Sequence, residues 1–349
     1  MVIVGASGNV GTALLRRLAG VPEIDEIVGV ARRMPAPTAP YQEARWETVD
    51  IGGPDAVSRL TEVFRGAAAV VHLGWQIQPS QQPRRLHRTN VEGSRNVALA
   101  VLRAGVPSLV YASSVGAYEP GPKDRTVGES WPVGGVAGSM YSQQKARVEA
   151  LLDDLEDEHP DLRVVRLRPA LIFQHDAGGQ IARYFLGPLV PVSLLKARRL
   201  PLVPFHETLR AQCVHAADVA EAYARAILSD VRGPFNVAAE PVLDGRVASK
   251  LFGGRPVRVP PWLLTWAAGA SWLARLQPTD PGWIWLATHS PLLDSTRARV
   301  ELGWAPQFDA LTALTDLVDG MASGAGTSSP ALRPRSLTPG TPPGHGSLY

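Results

Sequence analysis

The chain has 349 residues, 45% of them hydrophobic, and a formal net charge of +3, which allows one large or two small domains with an ample core. Its single cysteine, Cys213, excludes an internal disulfide framework and a cysteine-based zinc cluster, so no metal is expected. No apolar run reaches the roughly 18–20 residues that cross a bilayer, no signal peptide precedes the first strand, and the scattered arginine pairs form no aromatic-interleaved stripe. These features predict a cytoplasmic protein acting on a small molecule, with no nucleic-acid partner and no membrane span.

Val2-Ile3-Val4 reads as a short buried strand, and Thr12 to Leu18 as a helix with Leu14, Leu15 and Leu18 on one face. Between them stand Gly5, Gly8 and Gly11. The first allows a tight turn, the second lets a pyrophosphate approach the backbone, and the third lets the helix pack on the strand. The N–H groups at the helix start then face the phosphates. This strand–turn–helix setting predicts a dinucleotide site. Glu26 to Ala31 is the second strand, followed by Arg32 and Arg33. No carboxylate stands there for the ribose hydroxyls, as an NAD site prefers. Two guanidiniums suit a 2′-phosphate instead. The expected cofactor is NADP, with NAD as the alternative.

Strands follow at 44–49, 67–73, 108–112 and 162–167, with helical patterns at 54–64, 84–104 and 139–158 between them. This regular alternation predicts an α/β fold, a Rossmann-like doubly wound parallel sheet. His72 ends a strand and reads as structural. Asn90 and Asn96 are poor helix formers whose side chains suit bonds to backbone or cofactor. The 119–138 stretch reads as a loop beyond a strand end, where ligands of such sheets bind.

From residue 170 the alternation weakens. Prolines recur over 186–206, and Cys213-Val214-His215 reads as a return to the sheet. The domain plan is a dinucleotide domain over 1–169 with 212–238 returning to it. A smaller C-terminal substrate domain takes 170–211 and 239–321, and a disordered tail takes 322–349. Trp262 to Leu276 reads as a core helix of the substrate domain rather than a membrane-surface helix, because it lacks a basic face.

Tyr141 and Lys145 are four apart, so a helix stacks them on one face. A neighbouring ammonium lowers a tyrosine pKa and makes the phenol a usable acid/base. Ser114 ends a strand and offers a neutral hydroxyl for a substrate oxygen. The glycine turn, Ser114 and Tyr-x-x-x-Lys occur in one order, and that conjunction predicts catalysis.

The set resembles the extended or atypical short-chain dehydrogenases/reductases of the NAD-dependent epimerase/dehydratase group over about residues 1–320. It rests on Gly5-Ala-Ser-Gly-Asn-Val-Gly11, Asp50-Ile51, Val70-Val-His-Leu-Gly74, Asn90-Val-Glu-Gly93 and Val110-Tyr-Ala-Ser-Ser114. Tyr141-Ser-Gln-Gln-Lys145, Arg166-Leu-Arg-Pro169, Val214-His-Ala-Ala-Asp218, Pro234-Phe-Asn236 and Leu302-Gly-Trp-Ala-Pro306 complete it. The resemblance implies that Tyr141 is the acid/base, that Lys145 tunes it and bonds the nicotinamide ribose, and that Ser114 positions the reacting oxygen. It implies that Asn90 holds the site's architecture. Gly5, Ser7, Gly8, Asn9, Val10, Gly11, Arg32, Arg33, Asp50, Ile51, Leu73 and Gly74 would hold the cofactor, together with Tyr141 and Lys145. It also allows a homodimer.

Two departures weaken a UDP-sugar assignment. The segment Arg168-Pro-Ala-Leu-Ile-Phe-Gln174 lacks the Asn and Gly of an RPxNxxG-like run, and Arg210 to His215 lacks an Arg-Asp-aromatic run. The leading expectation is an NAD(P)-dependent oxidoreductase acting on a carbonyl or secondary alcohol. A nucleotide-sugar epimerase or dehydratase with tightly held cofactor is the second. A non-catalytic NAD(P)-binding redox sensor is the third.

Overall fold

A computed structural model describes residues 1–78, 80–186 and 202–335. A seven-stranded sheet organises it: β1 (Val2–Val4), β2 (Val28–Ala31), β3 (Arg45–Thr48), β4 (Val70–His72), β5 (Ser108–Ala112), β6 (Arg163–Pro169) and β7 (Gly233–Val237). The spatial order is β7-β6-β5-β4-β1-β2-β3, and every pairing is parallel. Alternate residues feed opposite cores, as a pleated strand requires. Ile3, Val71, Val110 and Val165 meet Leu14 and Leu15 on one face. Val2, Val70, Leu109 and Val164 meet Leu60 and Val97 on the other. Both faces are covered, which is why these strands read as unbroken apolar runs. The winding reverses between β1 and β4, so the ligand crevice opens at their C-terminal ends.

Cys213-Val214-His215 does not return to this sheet. It lies in strand Ala211–His215, the middle of a small three-stranded sheet. Leu171–Phe173 pairs with it in parallel and Ala239–Leu243 antiparallel. Only β7 rejoins the large sheet. A short apolar run specifies burial, not which sheet it enters. Next to it, helix Ala216–Leu228 carries Asp218 in its first turn. The Asp218 carboxylate accepts the Gln307 and Phe308 N–H groups at 2.9 and 3.1 Å, and its carbonyl accepts from Trp304 Nε1 at 2.7 Å. That fastens the Leu302–Pro306 segment to the sheet's helices.

The final helix runs Ala310–Ser323, and residues 324–335 form a packed strap where a disordered tail is expected. Leu332 is fully buried. Ser329 Oγ donates to the Ser7 carbonyl at 2.6 Å, and Thr327 Oγ1 meets the Tyr41 hydroxyl at 2.6 Å. One apolar anchor and hydrogen bonds to the N-terminal region hold a segment whose composition alone reads as tail. The rest of that tail, 336–349, lies outside the described residues, as does most of the proline-bearing 186–206 stretch. A second expectation also changes: no residue of helix Pro261–Leu273 is buried, so it is not a core helix.

Truncating Leu332 tests the strap. Leu332→Ala should cost about 2–5 kcal/mol in urea unfolding, the range for a buried leucine. An unchanged midpoint would mean that 324–335 does not pack in solution.

Candidate active site

The glycine turn is built as its spacing predicts. Gly5 adopts φ +87°, and a Cβ there would lie 2.8 Å from the Gly74 N. A Cβ on Gly11 would lie 2.5 Å from the Ala6 carbonyl oxygen. Helix Asn9–Leu18 starts from Gly8 with no side-chain cap. Its first-turn N–H groups, on Asn9, Val10 and Gly11, have no acceptor within the helix. A Cβ on Gly8 would lie 3.3 Å from the Gly5 carbonyl oxygen. These features fit a dinucleotide pyrophosphate. The Asn9 side chain is engaged elsewhere: Gln174 Nε2 donates to Asn9 Oδ1 at 2.5 Å and to its carbonyl at 3.0 Å. Gln174, in the segment that lacks the sugar-nucleotide Asn, thus braces the glycine turn.

Arg32 follows β2 directly and reaches across the crevice. With the Gln76 amide turned to donate to Thr89 Oγ1 at 2.8 Å, its oxygen accepts from Arg32 Nη1 and Nη2 at 2.6 and 2.9 Å. Arg33 is exposed. Asp50 accepts from Gly52 N at 3.2 Å and faces Arg88 Nη2 at 3.4 Å, with its side chain 41% exposed. The Ile51 carbonyl accepts from Asn96 Nδ2 at 2.8 Å. Gly74 follows Leu73 just past β4, close against Gly5.

Helix Met140–Glu158 carries Tyr141 and Lys145 to the ends of β4 and β5. Tyr141 stands beside Ser114, and its ring meets Trp75 and Trp283 at centroid distances of 5.9 and 5.0 Å. Phe185 in turn meets Trp283 edge-on at 4.9 Å. The acid/base candidate therefore faces an aromatic wall. Burial raises the Tyr141 pKa, and the Ser114 bond opposes that rise. The hydrogen bonds of Lys145 go to the Tyr111 hydroxyl and the Ala112 carbonyl rather than to the Tyr141 phenol. Its Nζ donates to the Ala112 carbonyl at 2.6 Å and sits 3.6 Å from the Trp75 ring centre, but 6.0 Å from that of Tyr141. Burial pulls the Lys145 pKa down to about 7, against the raising effect of Glu149.

Asn90 is buried in a π-helical turn, Arg88–Glu92, and bonds scaffold rather than crevice. Its Oδ1 accepts from Gln76 N at 2.7 Å, and its Nδ2 donates to the Gln76 carbonyl and to Gln144 Oε1, each at 2.8 Å. Buried His72 pairs with Ser94 Oγ at 2.9 Å. Burial, aided by the Lys145 charge, pushes its pKa down to about 3, so it stays neutral.

A model of the NAD-dependent epimerase/dehydratase family matches residues 1–238. The chain belongs to that family. A sterol-4-alpha-carboxylate 3-dehydrogenase (decarboxylating) of Saccharomyces cerevisiae is 29% identical over 179 residues, 50% of this chain and 51% of that one. A UDP-glucose 4-epimerase of Azospirillum brasilense is 27% identical over 333 residues, 89% of this chain and 88% of that one. Among solved structures, a Thermus thermophilus UDP-glucose 4-epimerase in complex with NAD shares the fold. Its TM-score is 0.66 at 20% identity, covering 92% of this chain and 98% of that one. This member of the epimerase/dehydratase family is thus an enzyme with an NAD(P) site.

Sequence reasoning missed the group that holds the helix carrying Tyr141 and Lys145. Glu149, two turns beyond Tyr141, is completely buried. Arg168 pairs with both of its oxygens, Nε to Oε1 at 2.8 Å and Nη2 to Oε2 at 2.9 Å, and Arg166 Nη1 adds a contact at 3.1 Å. Ser113 also donates to it. Burial would raise the Glu149 pKa, but Arg168, Arg166 and Ser113 together hold it below the usual range. An acidic residue on a helix gives no such signal, because its partners lie on a strand.

Glu149→Ala leaves the buried Arg168 guanidinium without its carboxylate, while Arg166 keeps Asp153 and Glu156, and should cost about 3–5 kcal/mol in urea unfolding. A cost under about 1 kcal/mol, the level of a surface pair, would show that the cluster is hydrated. The chain has only four lysines, so ε-13C-lysine NMR can follow each. Lys145 should titrate near 7 and Lys123, buried beside Arg210, near 8. From about pH 7 to the ordinary lysine value of 10.5, the unfolded chain holds a Lys145 proton that the folded chain lacks. Stability should therefore rise with pH across that window. A Lys145 midpoint above 10 would contradict the buried placement.

Proposed function

We propose that the protein is an NAD(P)-dependent oxidoreductase that interconverts a carbonyl and a secondary alcohol, with NADP preferred. The placement of Tyr141 beside Ser114, inside an aromatic recess of Trp75 and Trp283, carries this reading. When bound, the dinucleotide supplies or accepts the hydride at its nicotinamide C4. In reduction, the Tyr141 hydroxyl donates its proton to the substrate oxygen, and in oxidation it takes that proton back. Ser114 holds the same oxygen. Lys145 steadies the charge on Tyr141, and an anionic dinucleotide nearby favours its ammonium form. Trp75, Trp283 and Phe185 exclude water and favour an apolar carbonyl carrier. The yeast relative, named as a sterol-carboxylate dehydrogenase, supports that substrate class. Arg32, at the end of β2, supports NADP.

A second reading, a nucleotide-sugar epimerase with retained cofactor, is favoured by the Azospirillum relative's near full-length match. The aromatic wall and the missing Asn after Arg168-Pro169 count against it.

Tyr141→Phe should lower turnover about 10²–10⁴-fold and leave dinucleotide affinity unchanged by fluorescence titration. Arg32→Ala should weaken NADPH binding while sparing NADH. Undiminished Tyr141→Phe turnover would reject the acid/base role, and equal losses for both dinucleotides would reject the 2′-phosphate role. UDP-sugar interconversion by protein purified with its cofactor, without net reduction, would install the epimerase reading.

A further inference from the structure

Helix Pro261–Leu273, with its flanks, presents an apolar face to solvent. The helix carries no charged side chain. Residues 262, 266, 270 and 273 fall in one line along it. Trp262, Trp266 and Leu273 on that line are 69%, 67% and 75% exposed, and Leu276 just beyond is 52% exposed. The opposite face packs inward: Trp272 Nε1 donates to Ser80 Oγ at 2.9 Å, and Gln277 Nε2 to the Ala268 carbonyl at 3.0 Å. A soluble helix places polar residues outward. Here both faces are apolar, and the outer one carries two of the chain's nine tryptophans.

Charge identifies what covers this face. From residue 245 to 279 the chain has no Asp or Glu, and Arg246, Lys250, Arg255, Arg258 and Arg275 supply five cations. All five are exposed, and Arg258 is paired with Glu207 at 2.6 Å. Strand Arg255–Arg258 leads into the helix, and Arg275 closes it. Arg275 adopts φ +57°, a left-handed helix end where glycine is usual, and Leu276 follows it into solvent. Tryptophan rings favour the headgroup level of a bilayer, and cations are drawn to anionic lipid. Among the described residues no helix is long and apolar enough to span a membrane.

We infer that the Pro261–Leu273 helix and its arginine-bearing flanks dock this protein on the surface of an anionic lipid bilayer. The helix lies in the interface, with Trp262, Trp266 and Leu273 inserted at headgroup depth and Arg255 and Arg275 on lipid phosphates. The inference stands apart from the proposed reaction, since it rests on no residue of the Tyr141 site.

Co-sedimentation with phosphatidylglycerol/phosphatidylcholine vesicles tests it, with phosphatidylcholine-only vesicles and raised salt as comparisons. The full chain should bind the anionic vesicles with a blue shift of tryptophan fluorescence, and bind the others less. Trp262→Ser/Trp266→Ser removes exposed side chains and should keep the native circular dichroism while weakening binding about tenfold or more. Arg255→Glu/Arg275→Glu should abolish the preference for phosphatidylglycerol. Absence of wild-type binding, or equal binding by the tryptophan variant, overturns the proposal. So does sedimentation as a dimer that the tryptophan variant dissolves without any vesicle binding, which would make the face a contact between copies of this chain.

Discussion

The geometry of the helix that carries Tyr141 and Lys145 depends on one buried carboxylate. Glu149 shares a face of helix Met140–Glu158 with Tyr141 and Lys145, at successive steps of four residues. Removing a carboxylate and two guanidiniums from water is expensive, and only dense mutual hydrogen bonding offsets it. The partners are directional: Arg166 and Arg168 come from β6, and Ser113 from the end of β5. The helix can therefore neither slide nor rotate without leaving a buried charge unpaired. Because Ser113 precedes Ser114, the same carboxylate fixes the positions of both Tyr141 and Ser114. Arg168 extends the network through the Tyr118 hydroxyl at 2.9 Å to Asn236 on β7. The sheet edge and the site are thus one polar unit.

A second chain of bonds joins the crevice's two ends. Arg32 binds the Gln76 side chain, Asn90 grips the Gln76 backbone, and Asn90 reaches Gln144 beside Lys145. The π-helical turn at Arg88–Glu92 aims Asn90 inward, which a regular helix through that stretch would not do in the same way.

The parts legible in the sequence are those set by neighbours in the chain. The glycine turn and the strand–helix alternation are local, and so is the Tyr141–Lys145 spacing. What escaped depends on distant partners. Glu149 and Arg168 are 19 residues apart, and neither advertises burial. The strand holding Cys213 reads as buried, but its choice of sheet is made by Leu171–Phe173 and Ala239–Leu243. The strap at 324–335 hangs on a single leucine. Helix Pro261–Leu273 misleads in the opposite sense: apolar composition normally signals a core, yet its outer face has nothing from the described residues to cover it. The direction of Lys145 was also hidden, because Trp75 and the Ala112 carbonyl draw its Nζ away from the phenol.

Burial sets the charge state of the site as well as its shape. His72 is held neutral, Lys145 loses its proton near neutrality, and the Tyr141 hydroxyl is pushed toward its protonated form. A protonated phenol is the form that donates to a carbonyl oxygen. On the proposed reading, the resting site is therefore set for reduction. Oxidation asks for the phenolate, which burial disfavours unless Lys145 is charged beside it. An anionic dinucleotide restores that charge, so cofactor binding and acid/base competence are linked through one lysine. The aromatic wall sharpens the linkage, because it keeps out the water that would otherwise screen the lysine from the phenol.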